Sequence, residues 1–328
     1  MGERDVRLTE PIPVVTAARP AQDRPALAVH ELRPKTVLNR MRPFGSDGTG
    51  RPATAWSINP YRGCQHACAY CYARRTHADF DMNGGQEFER EIFVKVGAAQ
   101  VLREQLWRRR CSTWNTPIVI GSAVDPYQPL EGQRRITRSI LEVIRDARAP
   151  VQIITKNSMV IRDADILAEI ARRANCAVLI SITTLDADLA RVMEPATPPP
   201  LKRLAAIKTL VERGVPAGVM VAPILPWITD APGALEDLAL AAKRSNTQWL
   251  CAGTLRLHPD VRPWFFEWLE RERPDLLARY QRWYQYTEAP REYRRRLHDR
   301  MAMIRATLGL PSGPPEIVDP RPEQLTLF

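Results

Sequence analysis

The sequence predicts a parallel α/β protein, and three observations carry that prediction. Short, continuously apolar runs recur along the middle of the 328-residue chain, as expected of strands that are buried on both faces of a parallel sheet. Segments with a helical apolar period lie between these runs. Each strand–helix unit spans roughly 25 to 40 residues, which suits a crossover connection. The pattern leaves a barrel and a doubly wound sheet open, although about six units are too few for a complete eight-unit barrel.

The predicted elements alternate in order along the chain. AWSIN is a candidate first strand, and five later apolar runs follow it: PIVIGS (117–122), VQIIT (151–155), AVLISIT (177–183), GVMVAPI (218–224) and WLCAGTL (249–255). Helices are predicted for ITRSILEVIRDAR, DADILAEIARRA and PLKRLAAIKTLVERG. Asp163 is a candidate N-cap for the second helix. Pro200 and Gly214 mark the start and the end of the third.

Composition divides the chain into four parts. Residues 1–50 are rich in proline, arginine and polar residues, which predicts an extended, partly disordered lead-in. Residues 51–258 contain the strand–helix units. Residues 259–310 read as helices and predict a small C-terminal cap. Residues 311–328 are proline-rich and predict a disordered tail.

The bulk properties favour a cytoplasmic enzyme. The chain is 45% apolar and 26% charged, shows no apolar run long enough to cross a bilayer, and begins without the apolar core of a signal peptide. We therefore expect a cytoplasmic location, reduced thiols and no membrane partner. The net charge of +10 at pH 7 favours a polyanionic partner such as DNA. The predominance of arginine over lysine equally fits the compositional bias of a GC-rich genome.

Three of the six cysteines, Cys64, Cys68 and Cys71, are spaced C-x3-C-x2-C after the first candidate strand. Such a density of soft thiolates suits zinc or an iron–sulfur cluster. A structural zinc site takes four ligands, so His66 or His77 would have to complete it. An all-protein [4Fe–4S] site uses four cysteines. Three leave one metal position open, which is typical of a catalytic centre.

The stretch INPYRGCQHACAYCYAR, with Tyr70 just before the third cysteine, resembles the radical S-adenosylmethionine (SAM) enzymes. It is most similar to the branch related to spore photoproduct lyase, the DNA-repair-photolyase-like proteins. GSAVDPYQPLE, ITKNSMVIRDADIL, SITTLDADLARVMEP and RLAAIKTLVERGVPAGVMVAPILP resemble that branch in the same order, over about residues 55–260.

The resemblance implies a partial (β/α)6 TIM-type barrel whose [4Fe–4S] cluster is held by Cys64, Cys68 and Cys71. The amine and carboxylate of SAM would chelate the free iron. One electron, from a donor such as flavodoxin or ferredoxin, would cleave SAM to methionine and a 5′-deoxyadenosyl radical that abstracts a substrate hydrogen. The protein would supply position and a dry enclosure.

Candidate SAM-binding residues lie where strands end, because a parallel barrel builds its site there. Each also has a plain structural interpretation, as a turn former, a loop lysine, a partner for strand-end backbone groups or a shield for the iron. Arg191 and Glu194 would reach the ribose or pair with each other. The full set is Tyr70, Gly121, Ser122, Asp125, Lys156, Ser181, Thr183, Arg191 and Glu194.

The sequence departs from the resembling lyase at one functional position. That enzyme uses a cysteine as hydrogen donor near the end of its second strand, whereas the matching stretch here, Gly121 to Asp125, contains none. We therefore do not expect repair of spore photoproduct itself. The catalytic residues beyond the cofactor site stay unassigned.

The last five residues, QLTLF, resemble the peptide with which bacterial repair proteins and polymerases dock on the sliding clamp. Leu325, Leu327 and Phe328 would fill an apolar pocket, and Gln324 would make amide hydrogen bonds. The alternative is that they fold back on the protein's own surface. If the clamp binds this peptide, it points to DNA independently of the net charge.

Three functional hypotheses follow. The first is a radical SAM enzyme that repairs or modifies nucleic acid, most plausibly DNA bases, which would need an extruded base or a single strand. The second is a radical SAM enzyme that acts on a protein or a small metabolite. The third is a zinc-stabilised protein that binds the sliding clamp.

Overall fold

The computed structural model describes residues 26–41, 55–108 and 116–315. The strands in these ranges are β1 (Ala28–Leu32), β2 (Asn39–Met41), β3 (Ala55–Ile58), β4 (Tyr61–Arg62), β5 (Glu91–Lys95), β6 (Ile118–Ile120), β7 (Val151–Thr155), β8 (Cys176–Ser181), β9 (Ala217–Ile224) and β10 (Leu250–Thr254). The helices are α1 (Gln86–Arg90), α2 (Ala98–Arg108), α3 (Glu131–Arg134), α4 (Ile136–Asp146), α5 (Ala164–Arg173), α6 (Ala187–Met193), α7 (Pro200–Glu212), α8 (Ala234–Arg244), α9 (Arg262–Glu272), α10 (Pro274–Trp283) and α11 (Arg291–Leu308). Two 3-10 helices cover Tyr72–Phe80 and Ser158–Asp163.

The main sheet has the order β10-β9-β8-β7-β6-β3-β2. Its strands from β3 to β10 are all parallel, and only β2 pairs antiparallel, at the edge beside β3. Six parallel strands with intervening helices confirm the predicted α/β class and are consistent with the partial (β/α)6 barrel. The carboxyl ends of these strands therefore lie together at one end of the sheet, where a site can form.

Continuous burial explains why the strands could be found in the sequence. All six residues of β8 are buried, and so are all three of β6. Ile120, Ile153, Val178 and Val219 are fully inaccessible to solvent and belong to one core that fills the sheet. A strand that is covered on both faces has no polar positions to break its apolar run.

The predicted helices are present, with one local difference. Helix α7 begins at Pro200 and is followed by Gly214, which has a positive φ of 77°. At the start of α5, however, the side chain of Asp163 makes no capping hydrogen bond. It is fully buried and instead accepts hydrogen bonds from Arg138 and Arg162 at 3.0 Å each.

Two strands lie within the segment that the sequence assigned to a lead-in. β1 pairs parallel with β5, and β4 pairs antiparallel with β5, so that these three strands form a second, smaller sheet. β2 extends the edge of the main sheet. Residues 26–41 therefore contribute to packed structure, while residues 1–25 and 42–54 lie outside the described part of the chain.

The three C-terminal helices do not pack as one unit. Helices α9 and α10 bury Phe265, Trp268 and Tyr280 in an aromatic cluster that also contains Cys68 and Tyr70. Helix α11 instead joins the core of the main sheet through buried residues: Leu297, Met301 and Ile304. Of the predicted tail, residues 311–315 are described by the structure and residues 316–328 lie outside the described ranges. Within those ranges, every helix is too short or too polar to span a membrane.

Candidate active site

The cysteine-bearing segment follows the short strand β4, which directs it over the carboxyl ends of the main sheet. Its backbone is fixed on two sides, because Cys64 N–H donates to Phe88 O and Ala69 N–H donates to Met193 O, both at 2.9 Å. Gly63 has a φ of 76°, and a Cβ there would lie 2.6 Å from a backbone oxygen. Glycine is therefore required immediately before the first cysteine.

Arg74 holds the cysteine segment from beneath. Its side chain is fully buried, and its guanidinium donates to Cys68 O at 2.9 and 3.1 Å. The charge is balanced by Glu89, whose carboxylate lies 2.5 Å away, and the group also lies over the ring of Trp264 at 4.7 Å. A buried arginine with this many partners positions the backbone it contacts. No sequence pattern predicts this role, because arginine is normally a surface residue.

Two glutamines tie the same segment to the loop after β6. Gln65 N–H donates to Gln128 Oε1 at 2.9 Å, and Leu130 N–H donates to Gln65 Oε1 at 2.7 Å. Gln128 also donates to Gly63 O at 3.2 Å and is fully buried. These exchanged amide hydrogen bonds join residues more than 60 positions apart, and no short sequence pattern predicts them.

The three thiols are shielded from solvent to different degrees. Cys64 and Cys68 are each 7% exposed and Cys71 is partly exposed. Burial raises the pKa of all three, that of Cys64 to about 12, and the charge of Cys71 adds to the rise at Cys64 and Cys68. The charge of Lys156 opposes this rise at Cys68 and Cys71. Such thiols lose their protons when they bind a metal, and the ligands of an iron–sulfur cluster are thiolates of this kind.

The histidines required by the zinc alternative are engaged elsewhere. His77 packs edge-on against Phe88, and its Nε2 lies 3.2 Å from Glu91 O. His66 is buried, with its Nδ1 3.2 Å from the Asp125 carboxylate. Among the residues that the structure describes, no three His, Cys, Asp or Glu side chains gather closely enough to hold one ion. A closed zinc site would require four ligands around a single ion, about 2.3 Å away for sulfur.

Glu194 is the centre of a buried polar cluster beside the cysteines. The carboxylate is completely inaccessible and lies 2.5 Å from the guanidinium of Arg203, which is also buried. It accepts hydrogen bonds from Tyr70 Oη and from Thr183 Oγ1, the latter at 3.0 Å. Burial opposes ionisation of Glu194, but the charges of Arg203 and Lys156 outweigh it and lower the pKa of the carboxyl. Arg203 also donates to Ser181 O at 3.0 Å, which fixes the end of β8.

Lys156 joins this cluster to the cysteines. It follows β7, and its Nζ lies 3.9 Å from Glu194 Oε1 and 5.5 Å from the centre of the Tyr70 ring. The side chain keeps 15% of its surface exposed. Lys156, Tyr70, Thr183 and Glu194 were each predicted at this site, and the structure brings them together.

The predicted residues after β6 make close contacts and hydrogen bonds within the protein. Gly121 has a φ of 96°, and a Cβ would lie 2.2 Å from Ile154 O in the neighbouring strand. Ser122 Oγ accepts from Asn59 at 3.1 Å. Asp125 accepts from Tyr127 N–H, Thr155 Oγ1 and Lys156 N–H at 2.6 to 2.9 Å, which makes it a turn residue that also fixes the end of β7.

One predicted partner is wrong. Arg191 does not pair with Glu194, because its side chain is 66% exposed and bonds to Asp188, one turn earlier on α6, at 2.6 Å. The arginine that pairs with Glu194 is Arg203, on the next helix. Spacing within RVMEP suggested the nearer residue, whereas the buried face of α7 determines the real one.

The fold is a parallel α/β arrangement consistent with a partial barrel, and its cysteine segment packs beside the polar cluster around Glu194. The family model of the radical SAM superfamily matches residues 58–238, and the chain belongs to that superfamily. Its cofactors are a [4Fe–4S] cluster and SAM, as the resemblance implied.

Similar proteins were found both by sequence and by structure. An uncharacterised protein of Mycobacterium tuberculosis (strain ATCC 25618 / H37Rv) is 34% identical over 308 residues, which cover 92% of this chain and 88% of that protein. An uncharacterised protein of Methanocaldococcus jannaschii is 31% identical over 179 residues, covering 55% of this chain and 64% of that protein. Spore photoproduct lyase with bound AdoMet and dinucleoside spore photoproduct superposes with a TM-score of 0.63 at 18% identity, covering 91% and 85% of the two chains. At that identity the likeness shows a shared fold.

Proposed function

We propose that this enzyme cleaves SAM reductively at a cluster held by Cys64, Cys68 and Cys71, and abstracts a hydrogen atom from a base in DNA. The observation that carries the proposal is the position of Lys156, which follows β7 and whose charge acts on the thiols of Cys68 and Cys71. When bound, the cluster supplies the electron that breaks the sulfonium C–S bond of SAM. The protein provides a fixed, largely dry frame around it.

Lys156 is the residue we assign to SAM itself. Its ammonium group is the charged end of a side chain that is held near the cysteines but keeps some exposure. A carboxylate of SAM would replace part of its interaction with Glu194, which is 3.9 Å away and already neutralised by Arg203. We assign the SAM amine to the turn formed by Gly121 and Ser122.

The other polar residues act as positioning groups. Glu194 holds the hydroxyl of Tyr70 and so orients the ring beside the third cysteine. Thr183 and Arg203 fix that carboxylate in turn. Since these groups satisfy one another within the protein, their contribution is to keep Tyr70 and Lys156 in place before SAM arrives.

Two features favour DNA as the substrate. The chain has a net charge of +10, which attracts polyanions. Its fold is shared with spore photoproduct lyase bound to a dinucleoside photoproduct. The matching stretch Gly121 to Asp125 lacks a cysteine hydrogen donor, so we propose a different reaction on DNA from that of the lyase.

The test uses anaerobically reconstituted, reduced enzyme incubated with SAM and DNA that carries deuterium on its bases. Transfer of deuterium into 5′-deoxyadenosine is the expected result, and transfer should be absent in the Cys68→Ala variant. If deuterium appears only from a labelled protein or metabolite fraction, the alternative of a non-nucleic-acid substrate replaces ours. A colourless protein that retains zinc and forms no 5′-deoxyadenosine would refute the chemistry itself.

We also propose that the QLTLF peptide at residues 324–328 binds the sliding clamp and that the enzyme works in the cytoplasm. The peptide lies outside the described residues, so the proposal depends on its sequence. Deletion of the five residues should abolish retention on immobilised clamp while leaving SAM cleavage unchanged. Equal retention of the full-length and shortened proteins would refute it.

A further inference from the structure

Two adjoining clefts lie where β10 ends and α11 begins. The first has a volume of about 430 Å³ and is lined by Ala252, Gly253, Thr254 and one side of α11. The second has a volume of about 600 Å³ and is lined by the segment between α10 and α11. Arg291 and Arg294 line both, so the two clefts form one continuous surface.

Arginine dominates this surface. The six residues Arg256, Arg282, Arg291, Arg294, Arg295 and Arg305, called here the arginine face, line the clefts together with a single carboxylate, that of Glu288. Glu288 lies 3.6 Å from Arg256 and 2.9 Å from Arg294. None of the other four arginines makes an ion pair with a residue in the described ranges. The face therefore keeps a large uncompensated positive charge.

Helix geometry explains why the charges converge. On α11, positions 291, 294, 295, 298 and 305 fall on one side of an α-helix. A neighbouring side, with Leu297, Met301 and Ile304, is buried in the core and fixes the rotation of the helix. The arginines of α11 are thus held in a row beside β10. Their direction is fixed by the buried side of the helix, whereas side chains on a fully solvated helix would have no fixed direction.

The arginine face reaches toward the candidate active site. Arg256 lies two residues after the end of β10, and therefore at the carboxyl end of the parallel strands, where the cysteine segment also lies. Aromatic rings also line the second cleft: Tyr286 is 82% exposed, and Trp283 packs on Trp227 with a centroid distance of 4.1 Å.

We propose that the arginine face binds the phosphodiester backbone of a single nucleic-acid strand, with Tyr286 as a stacking platform for one base. Guanidinium groups match phosphate geometry with paired hydrogen bonds. A basic groove that carries an exposed aromatic ring is the usual arrangement for single strands, which also present the unpaired bases that the chemistry needs. The inference rests on the proposed action on nucleic acid and assigns where the strand runs.

The test measures binding of the full-length reconstituted protein to fluorescein-labelled oligodeoxythymidylate and oligouridylate over a range of salt concentrations. The pair Arg291→Gln with Arg295→Gln should weaken binding at least fivefold at low salt. The plot of log K against log salt should also become less steep, by about 1.4 for the two lost contacts, because each phosphate contact on a single strand contributes about 0.7 to the magnitude of its slope. Tyr286→Ala should weaken binding about fivefold or more with the slope unchanged, and Tyr286→Phe should restore it.

The matched control is the pair Arg172→Gln with Arg213→Gln. Both arginines are exposed at the ends of α5 and α7, just before β8 and β9 begin, and the net charge changes equally. This pair should leave affinity and salt slope as in the unmodified protein. Equal losses in the two pairs, or no binding of either oligonucleotide, would overturn the inference.

The two oligonucleotides distinguish DNA from RNA, which share the phosphodiester linkage but differ in the sugar. Tighter binding of one of them identifies the sugar that the arginine face accepts. The proposed function can fail separately. Specific strand binding without transfer of deuterium from labelled DNA would refute hydrogen abstraction from DNA and leave the arginine face as a binding surface.

Discussion

Removal of Arg203 is the change whose effect can be worked out most fully. The Arg203→Met variant keeps much of the side-chain volume but leaves Glu194 buried without its main counter-charge, 2.5 Å away in the native protein. Breaking a buried ion pair by deleting one partner costs about 3 to 5 kcal/mol, because the remaining charge stays desolvated. Lys156 offsets little of this cost, since its Nζ is 3.9 Å from the carboxylate and partly exposed.

The destabilisation should depend on pH in a defined direction. In the native protein the pKa of Glu194 is below its usual 4.5, so its contribution to stability is present above that value and is lost as the pH falls through the lowered pKa. In Arg203→Met, burial dominates and raises the pKa above 4.5. The penalty is then fully present at neutral pH and disappears as Glu194 is protonated. The difference between the two proteins should therefore narrow as the pH is lowered from about 7.5 to about 5.

The assay is the melting temperature of the reconstituted proteins under anaerobic conditions. Arg203→Met should melt about 4 to 7 °C below the native protein at neutral pH, and adding Glu194→Gln should recover most of that loss because no buried charge remains. Lys202→Met, an exposed neighbour on α7, serves as the control and should change little. A loss that is the same at both pH values, or that the double variant does not relieve, would refute the reasoning.

Three further predictions concern single residues. Lys156→Ala should raise the KM for SAM about tenfold or more while the cluster still assembles, as measured by 5′-deoxyadenosine formation and iron content, with partial recovery in Lys156→Arg. Gly121→Ala should yield little folded protein because its Cβ would overlap Ile154 O, whereas Gly214→Ala, with open space around it, should cost only about 1 to 2 kcal/mol for its positive φ, as measured by chemical denaturation. Burial, with a smaller contribution from Arg62, lowers the pKa of Lys95 from 10.5 to about 8. The stability of the native protein against denaturant should therefore rise from about pH 8 to about pH 10.5. Lys95→Met should be more stable than the native protein at pH 7, and this difference should disappear above about pH 10.5.

The parts of the fold that were predictable are those in which one segment shows its own environment. β8 is buried along its whole length, and its first five residues form an unbroken apolar run. The spacing of Cys64, Cys68 and Cys71 is likewise local, so it can be recognised in the sequence without knowledge of the fold. β1 is mostly half-buried or exposed, with the pattern of an edge strand, and it gives no such run. Its pairing with β5 depends on residues about 60 positions away.

The groups that support the site were not predictable for a related reason. Arg74 and Arg203 are fully buried, yet arginine is among the residues least often found inside a protein. Their burial is compensated by partners that only the folded chain supplies, such as Cys68 O and the carboxylate of Glu194. Tyr70 and Glu194 are 124 residues apart in the sequence. RVMEP offered Arg191 as a nearer partner, and only the packing of α6 and α7 excludes it.

This arrangement separates the groups that build the site from the group that can bind SAM. Asp125 already accepts three hydrogen bonds within the protein, and Glu194 is neutralised by Arg203, so substituting either would disturb strand ends before it affected a ligand. Lys156 differs, because its backbone N–H donates to Asp125 while its ammonium group makes two weak interactions, 3.9 Å from Glu194 Oε1 and 5.5 Å from the centre of the Tyr70 ring. A side chain that is held by its backbone and free at its charged end can exchange one weak ion pair for a ligand carboxylate at little cost in stability. Substitution of Lys156 should consequently change SAM binding far more than the melting temperature, and a fall in both together would show that the lysine is part of the frame.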